Sequence, residues 1–349
     1  MLDRIITPAD LLATIEELGR KQRIIGPVAR QGRFFYQEVA HAAQLDLSFN
    51  CCVYSPRAFL LPPSDTLLTF ENASATFTAR PVIDRRPFAL IGVHPCDLNA
   101  IQLLDRVFSM DHRDGHYLAR RAAALIVGVD CPRPCTAGVF CADMHANESA
   151  NGFDVMLIPL INGDRPHRYG VIFGTEDGRH WLLYSRRSTV PTIDDERALD
   201  DYRSAKSKAF SPALRTKMED LPELLDRSYD SLLWEATARR CYSCGSCNLA
   251  CPTCYCFNLR DEFNLDLKTG ARIREWDGCQ LRDFAEVAGG HNFRPRASSR
   301  LRHRIYRKAK WIRERTGLPG CVGCARCDRA CTAKINSVDI YNQLAEAET

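Results

Sequence analysis

Residues 241–256 read CYSCGSCNLACPTCYC, six cysteines in sixteen positions, and residues 321–335, CVGCARCDRACTAKI, write nearly the same phrase again. Cys241, Cys244 and Cys247 stand at C-x2-C-x2-C spacing, with Cys251 after three more residues; Cys321, Cys324, Cys327 and Cys331 repeat it. This is the spacing of bacterial two-cluster ferredoxins, in which the fourth cysteine of each phrase serves the other cluster. A loop with a thiolate at every third residue wraps one corner of an iron–sulfur cube. Gly245, Ser246, Gly323 and Ala325 are small enough to let the backbone approach the sulfides. The spacing predicts one [4Fe–4S] cluster on Cys241, Cys244, Cys247 and Cys331, and a second on Cys321, Cys324, Cys327 and Cys251. Each fourth cysteine is expected at the head of a helix leading to the other cluster. Zinc fits poorly, because its sites draw on separated CxxC pairs rather than a triple with a distant fourth ligand. Pro252 follows Cys251 but Thr332 follows Cys331, where threonine keeps the N–H that proline lacks. A modest change of environment is expected there, with the ligand retained.

Between the phrases lie 69 residues, Pro252 to Gly320, far more than a compact ferredoxin needs. This insertion holds Cys254, Cys256 and Cys279, which with His291 make candidate additional ligands for one further group, complete an upstream cluster, or line the core. It also holds a basic helix: ten Lys/Arg between residues 294 and 315, with Leu301, Ile305 and Ile312 as the apolar stripe. That run reads as a solvated face, as a dock for an acidic partner, or as a cushion of positive charge that raises cluster potentials. Without interleaved exposed aromatics, a nucleic-acid partner is not expected.

The bulk composition excludes other classes. The chain has 349 residues, 45% hydrophobic and 26% charged, with net charge +4, too mild a balance to imply nucleic acid or a membrane surface. No apolar run approaches the roughly 20 residues of a membrane span. The N-terminus lacks the basic start and apolar middle of a secretory signal and reads as an amphipathic helix with Leu11, Leu12, Ile15 and Leu18 on one stripe. A cytoplasmic location is expected. Seventeen cysteines in such a compartment point to metal rather than to a disulfide framework.

A third cysteine set lies upstream. Phe88–Val93 and Ala124–Val129 are apolar runs that read as buried parallel strands, the first followed by Cys96 and the second by Cys131, Cys135 and Cys141. Such strands would bring these thiols together at the carboxyl edge of a sheet, where α/β folds place their sites. Four thiols suffice for a third [4Fe–4S] cluster. The alternative is that Cys96 is simple packing and the others an incidental loop group. Cys51 and Cys52 have no evident partners and read as core.

Taken in order, GVHPCDLNAI, CPTCYCF, EWDGCQL, VAGGHNFRP and CVGCARC closely resemble the beta subunits of cytoplasmic NiFe sulfhydrogenases, a family that includes the iron–sulfur electron-transfer subunits of anaerobic sulfite reductases. The resemblance runs from about residue 24 to about residue 340. It supports the eight ferredoxin-type cysteines as ligands, together with Cys96, Cys131 and Cys141. The family writes a close CFC where this chain has GVFC: Val139 replaces the first cysteine and Cys135 appears earlier in the loop. The resemblance implies a non-catalytic electron-transfer subunit of a multi-subunit oxidoreductase. Its partners would be a flavin subunit that handles NAD(P)H and the small and large subunits of a hydrogenase, or a sirohaem sulfite reductase subunit.

The expected fold is an α/β N-terminal domain, residues 1–225, carrying the third cluster site. A mainly α-helical dicluster ferredoxin-like domain follows, residues 226–349, with a long insertion between the cluster motifs. Strands are predicted at 23–28, 67–70, 88–93, 124–129, 155–161, 169–172 and 181–184, and helices through Leu221, Leu224, Leu225, Leu232 and Leu233. No Walker loop and no G-x-G-x-x-G motif announce a nucleotide site. Two rival functions are a thiol-based sulfur or disulfide reductase using Cys254, Cys256 or Cys279 as nucleophile, and a purely structural scaffold.

Overall fold

The computed structural model describes residues 1–73, 76–162 and 165–347. Eleven strands are described: β1 (Arg4–Ile6), β2 (Arg23–Arg30), β3 (Arg33–Val39), β4 (Ser64–Ala73), β5 (Thr76–Pro81), β6 (Phe88–Val93), β7 (Ala124–Val129), β8 (Val155–Asn162), β9 (Arg165–Phe173), β10 (Phe257–Phe263) and β11 (Thr269–Trp276). Seven of them form one sheet in the order β1-β9-β8-β7-β6-β2-β3. Its centre, β2-β6-β7-β8, is parallel, and the flanks are antiparallel.

Strand β6, FALIGV, is buried along its whole length, as a central parallel strand covered on both faces must be. Its alternate residues serve opposite cores. Phe88 and Leu90 pack with Leu98, Ile101 and Leu104 of the helix Pro95–Ser109, whereas Ala89 and Ile91 pack with Leu11 and Ile15 of the helix Pro8–Gly19. A third core is helical. Leu221, Leu224, Leu225 and Trp234 meet Leu301, Ile305 and Tyr306 from the basic helix and Ile340, Tyr341 and Leu344 from the C-terminal helix Ser337–Glu346.

Three expectations change. Trp181–Tyr184 is not a strand but the end of the helix Glu176–Tyr184, started by Thr175, whose hydroxyl accepts the Gly178 N–H at 3.2 Å, with Glu176 and Asp177 in its first turn. A short apolar run is ambiguous by periodicity, and the cap residue decides it. The long insertion, expected inside a mainly α-helical domain, carries a β-hairpin. Its hairpin β10–β11 pairs with β4 and β5 to make a four-stranded antiparallel sheet, β10-β11-β4-β5. Strand β10 is exposed throughout, so it carries no apolar alternation to betray it. Finally, Cys251 and Cys331 stand at the ends of short helices, not at their heads. Left-handed Gly245 and Ala325 start those helices, Ser246–Leu249 and Arg326–Ala330, before the third cysteine of each phrase.

The four-stranded sheet is fixed by a buried charge network. Asp65 of β4 accepts Arg120 at 3.0 Å and Arg274 of β11 at 2.9 Å, and Arg274 also pairs with Asp114. Among the described residues no helix is long and apolar enough to cross a membrane.

Candidate metal centre

The two cysteine phrases share one backbone conformation. Ser243 and Gly323, two residues after the first cysteine of each, are left-handed at φ 52° and 63°, and Gly245 and Ala325 follow at 75° and 52°. In both loops the left-handed residue turns its N–H back onto the first thiol: Ser243 N donates to Cys241 Sγ and Gly323 N to Cys321 Sγ, each at 3.4 Å. The two short helices that follow pack on each other. A repeated sequence has become a repeated sulfur-cradling nest of backbone N–H groups.

In the second phrase Cys321, Cys324 and Cys327 line one largely closed cavity together with Cys251 of the first, the four thiols that spacing assigned to a single cluster. The same walls carry Thr253, Phe140, Tyr341, Arg304 and Lys308. Burial pushes the Cys321 and Cys324 thiols up to about 12 and raises Cys327 as well. Cys251 is lowered, because the Cys254 thiol donates to it. The Thr253 hydroxyl lies 3.2 Å from Cys251 Sγ, accepts Lys308 Nζ at 2.7 Å and donates to Gly320 O at 2.7 Å. Gly320 must be glycine: a Cβ there would stand 2.8 Å from the carbonyl oxygens of Arg307 and Lys308.

In the first phrase Cys247 is the inward thiol, raised by burial and lying within the electrostatic influence of Arg304, whereas Cys244 is exposed with the Ser246 hydroxyl 3.3 Å away. Cys331 ends the helix that packs on this phrase, and its sulfur accepts the Ile335 N–H at 3.4 Å.

Cys254 and Cys279 are joined by Asn248, whose Nδ2 donates to the first at 3.6 Å and the second at 3.4 Å; Cys256 is half-buried beside Cys279 and Arg307. His291 is not gathered with them; it lies in an exposed loop with its ring edge-on to Phe293, centroids 4.8 Å apart. The nucleophile reading of these thiols finds little support. Cys254 and Cys279 are buried, and the Cys256 thiol is raised by burial, the reverse of an activated thiol.

The parallel strands β6 and β7 bring the upstream thiols together. Cys96 lies in the first turn after β6, and burial raises it along with Cys131 and, to about 11, Cys141. Cys135 joins them through a residue that sequence reasoning placed in the core. Its thiol donates to Cys51, which also accepts Arg329 Nη2 at 3.0 Å and is lowered to about 6, chiefly by the Cys135 bond. Cys52, its neighbour, is fully buried as expected. Nothing in the string NCCV distinguishes the two; the turn that leaves one half-buried beside Cys135 and buries the other fully is tertiary. The upstream loop also meets the second phrase directly. Phe140 N donates to Gly323 O at 2.8 Å, and a Cβ on Gly323 would stand 2.4 Å from Phe140 O.

The donor set fits iron–sulfur clusters on two counts. Buried thiols do not hold thiolate charge by themselves and become ligands when a metal takes the proton's place. Conversely, the walls contain a cationic side chain that no protein group completes: Arg304 Nε is buried without a hydrogen-bond partner. An anionic cluster with sulfur acceptors satisfies both. Among the described residues no three His, Cys, Asp or Glu side chains converge on a point as one ion would require.

Repeated ferredoxin-type loops on an α/β scaffold define an iron–sulfur electron-transfer protein. Residues 240–335 match the family described as the 4Fe-4S dicluster domain. The chain is 31% identical over 336 residues, 95% of its own length and 94% of the relative's, to the sulfhydrogenase 2 subunit beta of Pyrococcus furiosus. It belongs to that family, the sulfhydrogenase beta subunits, and has the character of one iron–sulfur subunit within a larger complex.

Proposed function

We propose that the chain relays single electrons between a flavin subunit that oxidises or reduces NAD(P)H and the catalytic subunits of a NiFe hydrogenase in the cytoplasm. In this reading Cys241, Cys244, Cys247 and Cys331 hold one [4Fe–4S] cluster, and Cys321, Cys324, Cys327 and Cys251 hold the second. Cys96, Cys131, Cys135 and Cys141 hold a third. The clusters supply reversible one-electron chemistry, and the protein sets their potentials through burial, charge and hydrogen bonds to sulfur. No bond to a metabolite is made or broken by this chain alone.

The observation that carries the reading is the contiguity of the three thiol sets. Cys251 of the first phrase lines one cavity with Cys321, Cys324 and Cys327 of the second, and Cys324 packs in one buried cluster with Cys96 and Cys141 of the upstream set. Such an unbroken series suits a wire running from the ferredoxin loops into the α/β sheet. Chain-encoded groups do the rest: the left-handed loops aim N–H groups at sulfur, and the closed walls around Cys321 and Cys324 keep water out.

The test is anaerobic purification of the chain with its native partners, followed by metal analysis and NAD(P)H reduction. Expected are at least eight iron atoms per chain, a nickel-binding partner that co-purifies, and cluster reduction that requires the flavin partner. Co-purification of a sirohaem protein would move the function to sulfite reduction, and a chain lacking iron and sulfide would end it.

A further inference from the structure

The basic helix Ala297–Tyr306 and the π-turn after it, Arg307–Trp311, send three cations inward at four-residue intervals: Arg300, Arg304 and Lys308, exposed by 5%, 6% and 6%. They differ in what satisfies them. Arg300 is bonded to protein at all three of its nitrogens. Its Nε donates to Gln280 O at 3.0 Å, its Nη1 to Pro295 O at 2.7 Å and Arg294 O at 3.1 Å, and its Nη2 to Ser243 Oγ at 2.9 Å. Lys308 has one acceptor, the Thr253 hydroxyl beside Cys251.

Arg304 has none. Its Nε has no partner, and among the described residues no carboxylate stands within ion-pair distance of the guanidinium. The groups that feel its charge are thiols of both phrases, Cys247, Cys327, Cys251 and Cys254. Asp328 also feels the guanidinium's charge but forms no ion pair with it: its Oδ1 accepts the Ser337 backbone N–H at 3.2 Å and hydroxyl at 3.0 Å, while its Oδ2 is buried without a hydrogen-bond partner. A buried guanidinium without a counter-group is costly and is tolerated where an anion completes it.

We propose that Arg304 is a potential-setting residue shared by the two ferredoxin-type clusters, its guanidinium donating to their sulfur atoms, and that Lys308 acts in the same sense on the Cys251–Cys321 cluster alone. The inference rests on the cluster assignment made above. Each cluster gains one negative charge on reduction, so a fixed cation at its edge stabilises the reduced form and raises the potential. One arginine between two clusters lifts both together. That keeps neighbouring sites close in potential, as a two-way relay requires. The π-turn serves this arrangement by adding a residue to the helix just where Lys308 must join Arg304 on the inner face.

The test is an EPR-monitored redox titration of the anaerobically purified holoprotein and its Arg304→Met, Arg304→Lys and Lys308→Met variants, with iron content measured on each. Arg304→Met is expected to lower both dicluster midpoints by at least a tenfold change in the reduction equilibrium, about 59 mV for one electron. Arg304→Lys is expected to retain most of the wild-type value, and Lys308→Met to lower one midpoint only; the upstream signal stays put in all three. Iron-replete Arg304→Met protein with both midpoints unchanged overturns the proposal. If that variant fails to load iron, Lys308→Met decides: an unmoved midpoint overturns it and a single lowered one supports it. Absence of iron from the wild type would instead be a failure of the cluster assignment.

Discussion

Arg326 and Asp97 form a two-pronged ion pair, Nη1 to Oδ1 at 2.8 Å and Nη2 to Oδ2 at 2.7 Å, with side-chain exposures of 1% and 0%. Arg326 stands between Cys324 and Cys327, and Asp97 follows Cys96. The pair therefore bolts the second ferredoxin loop to the edge of the seven-stranded sheet. Ser55 Oγ donates to Asp97 Oδ1 at 2.9 Å, and Arg326 Nε to Cys52 O at 3.1 Å, so both charges are fully engaged.

Removing one member strands the other in the interior. Arg326→Met and Asp97→Asn are each expected to cost about 3–5 kcal/mol, and the double variant much less than the sum. Urea denaturation of the holoprotein, followed by cluster absorbance and circular dichroism in parallel, reads this. Additive losses, each under about 1 kcal/mol as for a surface pair, would show that the pair is incidental.

The proposed cross-ligation would make Cys331 the fourth ligand of the cluster on Cys241, Cys244 and Cys247, which lie 84 to 90 positions earlier in the chain. Cys331→Ser is expected to alter the EPR signal of the Cys241–Cys244–Cys247 cluster and leave that of the Cys321–Cys324–Cys327 cluster intact. Loss of the latter instead would mean that each phrase keeps its own fourth cysteine.

At the sheet edge, Cys96→Ala is expected to remove one cluster's worth of iron while leaving the dicluster signals unchanged. Five thiols, Cys51, Cys96, Cys131, Cys135 and Cys141, gather there, one more than the proposed [4Fe–4S] cluster would take. Cys135→Ser should abolish the third cluster if Cys135 is the fourth ligand, and Cys51→Ser should then only shift its signal. The opposite pattern would give the position to Cys51.

His303 is held down to about 4 by burial and by the charges of Arg294 and Arg307, from an ordinary value of 6.5. The unfolded chain accepts this proton first as pH falls. Stability intact above pH 6.5 is therefore lost progressively towards pH 4. In His303→Gln that part of the slope should disappear from the urea midpoint plotted against pH; identical slopes in both proteins would show that other groups dominate.

Much of this was legible in the chain. The C-x2-C-x2-C spacing encodes the loop, because cysteines at that interval can place three sulfurs around one cube from a single short turn, and the left-handed pairs Ser243/Gly245 and Gly323/Ala325 realise that turn twice. Strands β6 and β7 were plain as unbroken apolar runs ended by cysteine-bearing turns. Less legible were features whose signal is shared between distant segments. Strand β10 makes sense only against β11 and β4, and the inward turn of Arg300, Arg304 and Lys308 looks, on a helical wheel, like any solvated basic face.

Sequence by itself determined the covalent logic: which thiols stand at cluster-forming intervals, and that two such loops recur in one chain. Tertiary structure alone decided which charges face them. Whether an arginine points to water or to sulfur depends on what packs against its helix, and whether Cys51 meets Cys135 depends on a turn between separate strands. Spacing along the backbone is a local property; the dielectric and the counter-charge around a sulfur atom are set by every segment that surrounds it.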